Sequence, residues 1–254
     1  RRAYIMNEIN AIYIQSHKGE IVNGRLVKFL QRFKVTDKCT RDIYLFLDKQ
    51  SEKCQRSGGY DDLFTGIKDL GITVVMIDTS GYRNEVTYMF YFMMNYKIDE
   101  YTNVLLLESD CHVRPGFDST INLDLKGQPD FWIYGSTYYG NNRWVTYPWS
   151  HGKKWLSEYR RKHMNGVAVY HRSKSLLRFI ENLFIENNRV NHIGKQDNYD
   201  WLLYEAMANG KRTAMTIDSK HILNICLPGD VNIGFEHLKK EAMIIHSKSD
   251  TLIH

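Results

Sequence analysis

Short apolar runs alternate along the first half of the chain with longer stretches in which apolar residues recur every three or four positions. The run Ala11-Ile-Tyr-Ile-Gln15 predicts a strand that closes at Ser16-His17-Lys18-Gly19. Residues 23–34 place Leu26, Val27, Phe29, Leu30 and Phe33 at helical spacing. Ile43–Leu47 predicts a second strand ending at Asp48, and residues 61–70 a short helix through Leu63, Ile67 and Leu70. Ile72–Ile77 predicts a third strand ending at Asp78, residues 84–96 a helix, and Val104–Leu107 a fourth strand. These strands are apolar on both faces, the pattern of a parallel sheet covered by helices on either side.

The second half is more mixed. Strands are predicted at Phe131–Tyr134, Gly166–Tyr170, Thr213–Ile217 and Ala242–Ile245, the last ending at His246. Helices are predicted at Ser175–Glu186 and Asp200–Asn209. Residues 136–152, rich in Tyr, Trp, Asn and Gly, predict one long loop. No internal repeat and no low-complexity linker interrupts the chain, so a single α/β domain over 1–254 is expected. It would have a Rossmann-like first half, approximately 1–112, and a mixed second half, 113–254.

In open α/β sheets, ligands bind beyond the carboxyl ends of the strands. Three of the four early strand ends carry an acid, at Asp48, Asp78 and Glu108/Asp110, and the fourth carries Ser16-His17-Lys18. The acids are therefore expected on one rim. An acid-x-acid triplet means little alone, but carboxylates at such a rim suit Mg²⁺ or Mn²⁺, hard cations that take oxygen ligands and keep positions open for phosphate.

Composition narrows the partners. A formal net charge of +5 mildly favours an anionic ligand such as a diphosphate, and is too small to point to nucleic acid. No zinc-finger, homeodomain or RNA-recognition pattern occurs. Cys39, Cys54, Cys111 and Cys226 form no CxxC pair, which argues against structural zinc. Four reduced thiols, hence a cytoplasmic rather than a secretory setting, is the favoured reading, with two disulfides as the alternative. No apolar run is long enough to span a membrane, and no signal peptide is expected. The start at Arg1-Arg2-Ala3-Tyr4, without Met, points to a piece of a longer protein.

The segment Leu105-Leu-Leu-Glu108-Ser109-Asp110, followed by Pro115-Gly-Phe117, resembles the metal-binding DxD segment of GT-A glycosyltransferases, which follows the fourth strand of a nucleotide-binding half. Met164-Asn165-Gly166 through Arg172 resembles the NGxxxxxR strand bordering the donor and acceptor sugars. Lys195-Gln-Asp197-Asn-Tyr199-Asp200-Trp201 resembles the helix start that carries the general base in inverting members. Ile244-Ile-His246-Ser-Lys248 resembles the C-terminal histidine segment that completes the metal site. The chain departs from the pattern in three ways: the first acid of the triplet is Glu108, Gln196 stands where an acid usually precedes the base, and the Arg after the base is missing. Those departures leave inverting against retaining chemistry open.

The resemblance implies a hexosyl- or pentosyltransferase that uses a nucleoside-diphosphate sugar donor, a glycan or glycoconjugate acceptor and Mn²⁺ or Mg²⁺, with no nucleic acid partner. Asp110 and His246 would be metal ligands, and Glu108 would touch the ribose or a metal-bound water. A histidine ligand favours Mn²⁺. Asp197 would be the general base, with Asp200 as its rival; Asp197 also suits a helix N-cap. Gln15, Ser16, His17, Asp48, Asp78, Arg83, Glu108, Ser109, Asn165, Gly166 and Lys248 would line the donor. Tyr138, Tyr139, Trp144 and Trp149, with Tyr199 and Trp201, would meet the acceptor through their ring faces; filling a small satellite core is the other use for such rings.

Two alternatives remain open. A nucleotidyltransferase shares the first half and the metal logic, but Ser16-His17-Lys18-Gly19 is too short for its phosphate loop. A non-catalytic carbohydrate-binding domain could use the same aromatic residues without needing converging acids. No GxGxxG follows the first strand, which argues against a Rossmann dehydrogenase.

Overall fold

The computed structural model describes residues 8–16, 25–37, 41–49, 59–80, 82, 85–109, 111–125, 131–140, 143–146, 167–189, 214–225 and 243–247. In chain order these form β1 (Ala11–Gln15), α1 (Arg25–Asp37), β2 (Asp42–Asp48), α2 (Gly59–Ile67), β3 (Ile72–Ile77), α3 (Glu85–Asn95) and β4 (Asn103–Glu108). There follow β5 (Cys111–Val113), α4 (Phe117–Asp124), β6 (Phe131–Gly140), β7 (Arg143–Thr146), β8 (Ala168–His171), α5 (Lys174–Arg189), β9 (Ala214–Ile225) and β10 (Ile244–Ser247).

Among the described residues the strands form one sheet in the order β3-β2-β1-β4-β8-β6-β9-β10-β5, with β7 paired to β6. The first four strands are parallel throughout. Beyond β4 the sheet is mixed: β8 runs antiparallel to β4 and to β6, β9 runs parallel to β6, and β10 runs parallel to β9 and antiparallel to β5. β5 is the far edge in pairing order, yet only Ser109 and Asp110 separate it from the end of β4. A chain that leaves β4 and enters the opposite edge two residues later requires the second half of the sheet to curl back toward the first.

Period-two alternation sends successive strand residues to opposite faces. Ile12, Ile14, Leu45, Leu47, Leu105 and Leu107 pack under Leu26, Leu30 and Phe33 of α1, Leu63 and Ile67 of α2, and Phe117 and Ile121 of α4. Tyr13, Tyr44, Phe46, Leu106 and Tyr170 pack under Met89, Phe90, Met93 and Met94 of α3 and Leu176 and Ile180 of α5. Both faces are covered, as uninterrupted apolar strands demand.

α1 and α2 pack closely enough that a Cβ built on Gly66 would lie 2.5 Å from Val27 Cγ1. Gly66→Ala gains up to about 1 kcal/mol in helix propensity. Overpacking against the stiff β-branched Val27 costs roughly 1–3 kcal/mol. Net destabilisation is the expected result in urea unfolding, and the sign should reverse in a Val27→Ala background. A stabilising effect in both backgrounds would show that the contact is not limiting.

At the amino-end rim of β4, the half-buried ring of His171 sets its Nδ1 2.7 Å from Asn103 Oδ1. The carbonyl-type oxygen accepts, so Nδ1 carries the proton that is donated. Burial lowers the pKa of His171 below the ordinary 6.5. The unfolded chain therefore takes up the proton first, so this contribution is complete above the unfolded value and is lost as pH falls through it toward the folded one. The urea midpoint should decline below about pH 6.5, and His171→Gln should flatten that decline. An unchanged slope would assign it to other groups.

Three expectations are corrected. Residues 136–140 and 143–146 are not loop: they form strands β6 and β7, with Tyr138 opposite Val145, Tyr139 opposite Trp144 and Gly140 opposite Arg143. The aromatic and β-branched side chains that read as loop composition are also the ones that favour strands. The strand expected at 213–217 extends to Ile225, and His246 lies within β10 rather than just past it. The helix expected at 200–209 lies outside the described residues.

Candidate active site

The carboxyl ends of β1 to β4 meet at one rim. Gln15 stands beside Glu108 in the ladder, and the Ser109 amide donates to the Gln15 carbonyl at 3.1 Å. Asp48 pairs with Ile77, the Lys49 amide donates to the Ile77 carbonyl at 2.7 Å, and the Tyr60 hydroxyl donates to the Asp48 carbonyl at 2.5 Å. By strand alternation Gln15, Asp48 and Glu108 share a face with Tyr13, Phe46 and Leu106, the face under α3 and α5. α3 follows β3 and its last carbonyls reach Arg172 at the opposite rim, so its N-terminus opens at the acid-bearing rim.

The rim holds buried polar atoms that no described residue satisfies. Gln15 and Asp48 are only 8% and 7% exposed, and Thr79, just past β3, is 1% exposed. Gln15 Oε1 and Thr79 Oγ1 find no hydrogen-bond partner among the described residues. Such groups cost stability unless something else bonds to them, and a native chain keeps few of them without a reason. Asp78 is exposed at the same rim. Its Oδ1 accepts from the Ser80 amide at 2.9 Å and from the Ser80 hydroxyl at 2.6 Å, closing the turn after β3.

The curl of the sheet brings the C-terminal strand to the same place. β5 pairs antiparallel with β10 so that Cys111 stands opposite His246. His246 thus occupies the ladder position opposite the residue that follows Asp110 in sequence, while Glu108 ends β4 and the half-buried Ser16 follows β1. Cys111 is buried as a thiol. Cys111 and His246, separated by more than half the chain, are brought into register by this single pair of short strands. Among the described residues no group of three His, Cys, Asp or Glu is itself within reach of one ion.

Gln15, Ser16, Asp48, Asp78, Glu108 and Ser109 of the expected donor set lie at this rim. Tyr138, Tyr139 and Trp144 of the expected acceptor set lie on the β6–β7 hairpin. His17, Arg83, Asp110, Trp149, Asn165, Gly166, Asp197, Tyr199, Asp200, Trp201 and Lys248 lie outside the described residues.

Arg172 must be moved away from the site. β8 runs antiparallel to β4, so the chain enters β8 from the acid-bearing rim and leaves it at the other. The Arg172 amide bonds Thr102, roughly 20 Å along β4 from Glu108 at strand rise. Its side chain is 3% exposed and holds the end of α3 rather than a sugar.

Thr79 and the aromatic pair Tyr82 and Tyr88 were not singled out in the sequence. Thr79 carried no signal there, whereas Ser80-Gly81-Tyr82 after a strand was a readable turn. The Tyr88 phenol is pushed up to about 12, first by its hydrogen bond with Tyr82, then by burial, with the charge of Asp78 acting in the same sense.

A parallel nucleotide-type half that passes through a short acid-bearing joint into a mixed second half is the GT-A-like arrangement of glycosyltransferases. Two solved structures share it over nearly the whole chain. The bifunctional glycosyltransferase WbbM superposes with a TM-score of 0.53 at 14% identity, over 97% of this chain and 47% of that one. Mouse xyloside xylosyltransferase 1 superposes with a TM-score of 0.52 at 9% identity, over 97% of this chain and 100% of that one. This chain therefore spans about half the length of WbbM and all of the xylosyltransferase chain. No protein-family model matches the sequence, and no curated protein matches it. At these identities the likeness shows the fold, and the chemistry has to be argued from the site. No helix among the described residues is long and apolar enough to cross a membrane.

Proposed function

We propose that the chain is a metal-dependent glycosyltransferase that moves a sugar from a nucleoside-diphosphate sugar to a hydroxyl of a glycan or glycoconjugate, with inversion and an Asp base. The observation that carries this reading is the β5–β10 ladder, which sets His246 opposite the residue after Asp110 at the rim where Gln15, Asp48 and Glu108 end.

Asp110 and His246, with Glu108 beside them, would hold Mn²⁺, and Mg²⁺ would be the weaker fit to a histidine. A divalent ion bound there supplies Lewis-acid stabilisation for the charge that builds on the departing diphosphate. Gln15, Ser16 and His17 would bind the nucleobase, Gln15 Oε1 accepting from a base N–H. Asp48 would bond the base or ribose, as acids at such strand ends do. Arg83 and Lys248 would balance phosphate charge, helped by the N-terminus of α3. Asn165 and Gly166 would border the donor sugar.

Asp197, or Asp200 in its place, would take the proton from the acceptor hydroxyl as that oxygen bonds to the anomeric carbon and the bond to the diphosphate oxygen breaks. Tyr138, Tyr139, Trp144, Trp149, Tyr199 and Trp201 would offer ring faces to the acceptor.

The test is release of nucleoside diphosphate from a panel of sugar nucleotides, with Mn²⁺ and with chelator. Mn²⁺-dependent diphosphate release from one donor is the expected result. Release of sugar 1-phosphate, the leaving group of attack at the α-phosphate, would instead indicate nucleotidyl transfer, and no binding of any nucleotide in the presence of metal would overturn the donor site.

A further inference from the structure

We propose that the exposed ring of Tyr82 is a stacking platform for a pyranose ring of a bound glycan, a carbohydrate subsite at the acid-bearing rim on the side of the β3–α3 connection. The proposal rests on the transferase reading, because it sets a glycan beside a sugar-transfer centre.

Tyr82 follows β3, whose last residue Ile77 is the ladder partner of Asp48, so it stands at the same rim as the candidate site. Its amide donates to the Thr79 carbonyl at 3.2 Å, which closes the turn and fixes where the side chain starts. The ring is 36% exposed, one of the few large apolar side chains left in water among the described residues.

It is nonetheless held. Tyr82 lies on Tyr88 of α3 with centroids 3.6 Å apart and planes 11° apart. Both rings lie 5.6 Å from Phe184 of α5, which itself stacks on Tyr91 at 4.7 Å and 12°. Tyr82 is therefore the outermost ring of a pile anchored on two helices, and little freedom is left to lose when a ligand stacks on it.

A pyranose fits the surroundings. One of its faces is a patch of C–H groups matched to a single ring, and its edge is a row of hydroxyls that donate to carboxylates. Asp78 belongs to the same turn, its Oδ1 accepting from the Ser80 amide and hydroxyl while the Tyr82 amide bonds Thr79, and it brings a carboxylate to that edge of the rim. A protein partner would need an apolar area larger than one ring.

The test uses the protein with ¹³C-labelled tyrosine rings, the Tyr82 resonance being assigned by its loss in Tyr82→Phe. It is titrated with defined oligosaccharides of gluco, galacto, manno and xylo configuration. A separate arm uses UDP, GDP, CDP and TDP with Mn²⁺. One oligosaccharide series should shift the Tyr82 ring. Tyr82→Ala should weaken that series about tenfold, Tyr82→Trp should restore it, and both should bind nucleotide like the wild type.

If no oligosaccharide moves the Tyr82 ring, if Tyr82→Ala binds the active series unchanged, or if a nucleotide moves the ring in place of a glycan, the platform is refuted. The wild-type titration needs no substitution to fold, so it stands by itself. If a glycan shifts Tyr82 while every nucleotide fails to bind, the platform holds and the transferase reading falls.

Discussion

Arg172→Met should cost about 4 kcal/mol of stability, read as a lower urea midpoint at unchanged slope. The guanidinium donates to the carbonyls of Met94 at 3.3 Å, Tyr96 at 2.6 Å and Lys97 at 3.1 Å, and also to that of Tyr101. These oxygens belong to the last turn of α3 and the reversal after it, where Lys97 holds a φ of 49°. Helix ends leave carbonyls without intrahelical partners and concentrate negative partial charge, so a buried cation is stabilising there.

The same guanidinium lies 5.4 Å over the ring of Tyr13, whose hydroxyl also donates to the Tyr96 carbonyl at 2.8 Å. Burial pushes the Tyr13 phenol up to about 12, against the pull of Arg172. A methionine fills the volume and strands several buried acceptors, each worth roughly 1–3 kcal/mol when orphaned. Arg172→Lys should recover only part of the loss, because a single ammonium cannot span acceptors arranged for a fork. A loss under about 1 kcal/mol for Arg172→Met would mean that water replaces these bonds without cost.

Asp110→Ala should reduce sugar transfer by about a thousandfold, the rate equivalent of several kcal/mol of lost charge stabilisation. It should also abolish Mn²⁺ binding in spectroscopic titrations, a readout that does not depend on turnover. His246→Ala should have a smaller effect, because carboxylate and water can still hold the ion. Metal affinity equal to wild type in Asp110→Ala would remove Asp110 from the site even if activity fell.

The first half of the fold was legible because uninterrupted apolar runs and helical spacing are strong signals, and β1 and β3 begin and end where those signals do. The acids at one rim followed from that, since parallel strands end together. β5 escaped because Cys111-His-Val113 is too short to show any period. α4, Phe117–Asp124, mixes few apolar with many polar positions and shows only Phe117 and Ile121 to the core. β9 was cut short because Asp218-Ser-Lys-His221 interrupts its apolar character mid-strand. The register of His246 with Cys111 is a matter of tertiary pairing, invisible to local spacing. Likeness to a family drew Arg172 toward the sugar, because strand direction in β8 cannot be read from the strand's own residues.

The β5–β10 pairing has a consequence for how the protein is made. Residues 11–108 supply the four strands of the parallel first half and can form their ladders as soon as they emerge from the ribosome. β5 must wait for residues 244–246, so its contacts are among the most distant in sequence that the chain makes. Pairings of such high contact order form late and slowly. A nascent chain that has folded its nucleotide-type half would still lack the histidine side of the candidate metal centre. Any ligand that needs both edges of the sheet would have to wait for one late docking event after residues 244–246 are made, and by binding only the docked form it would favour that form over its precursors by mass action.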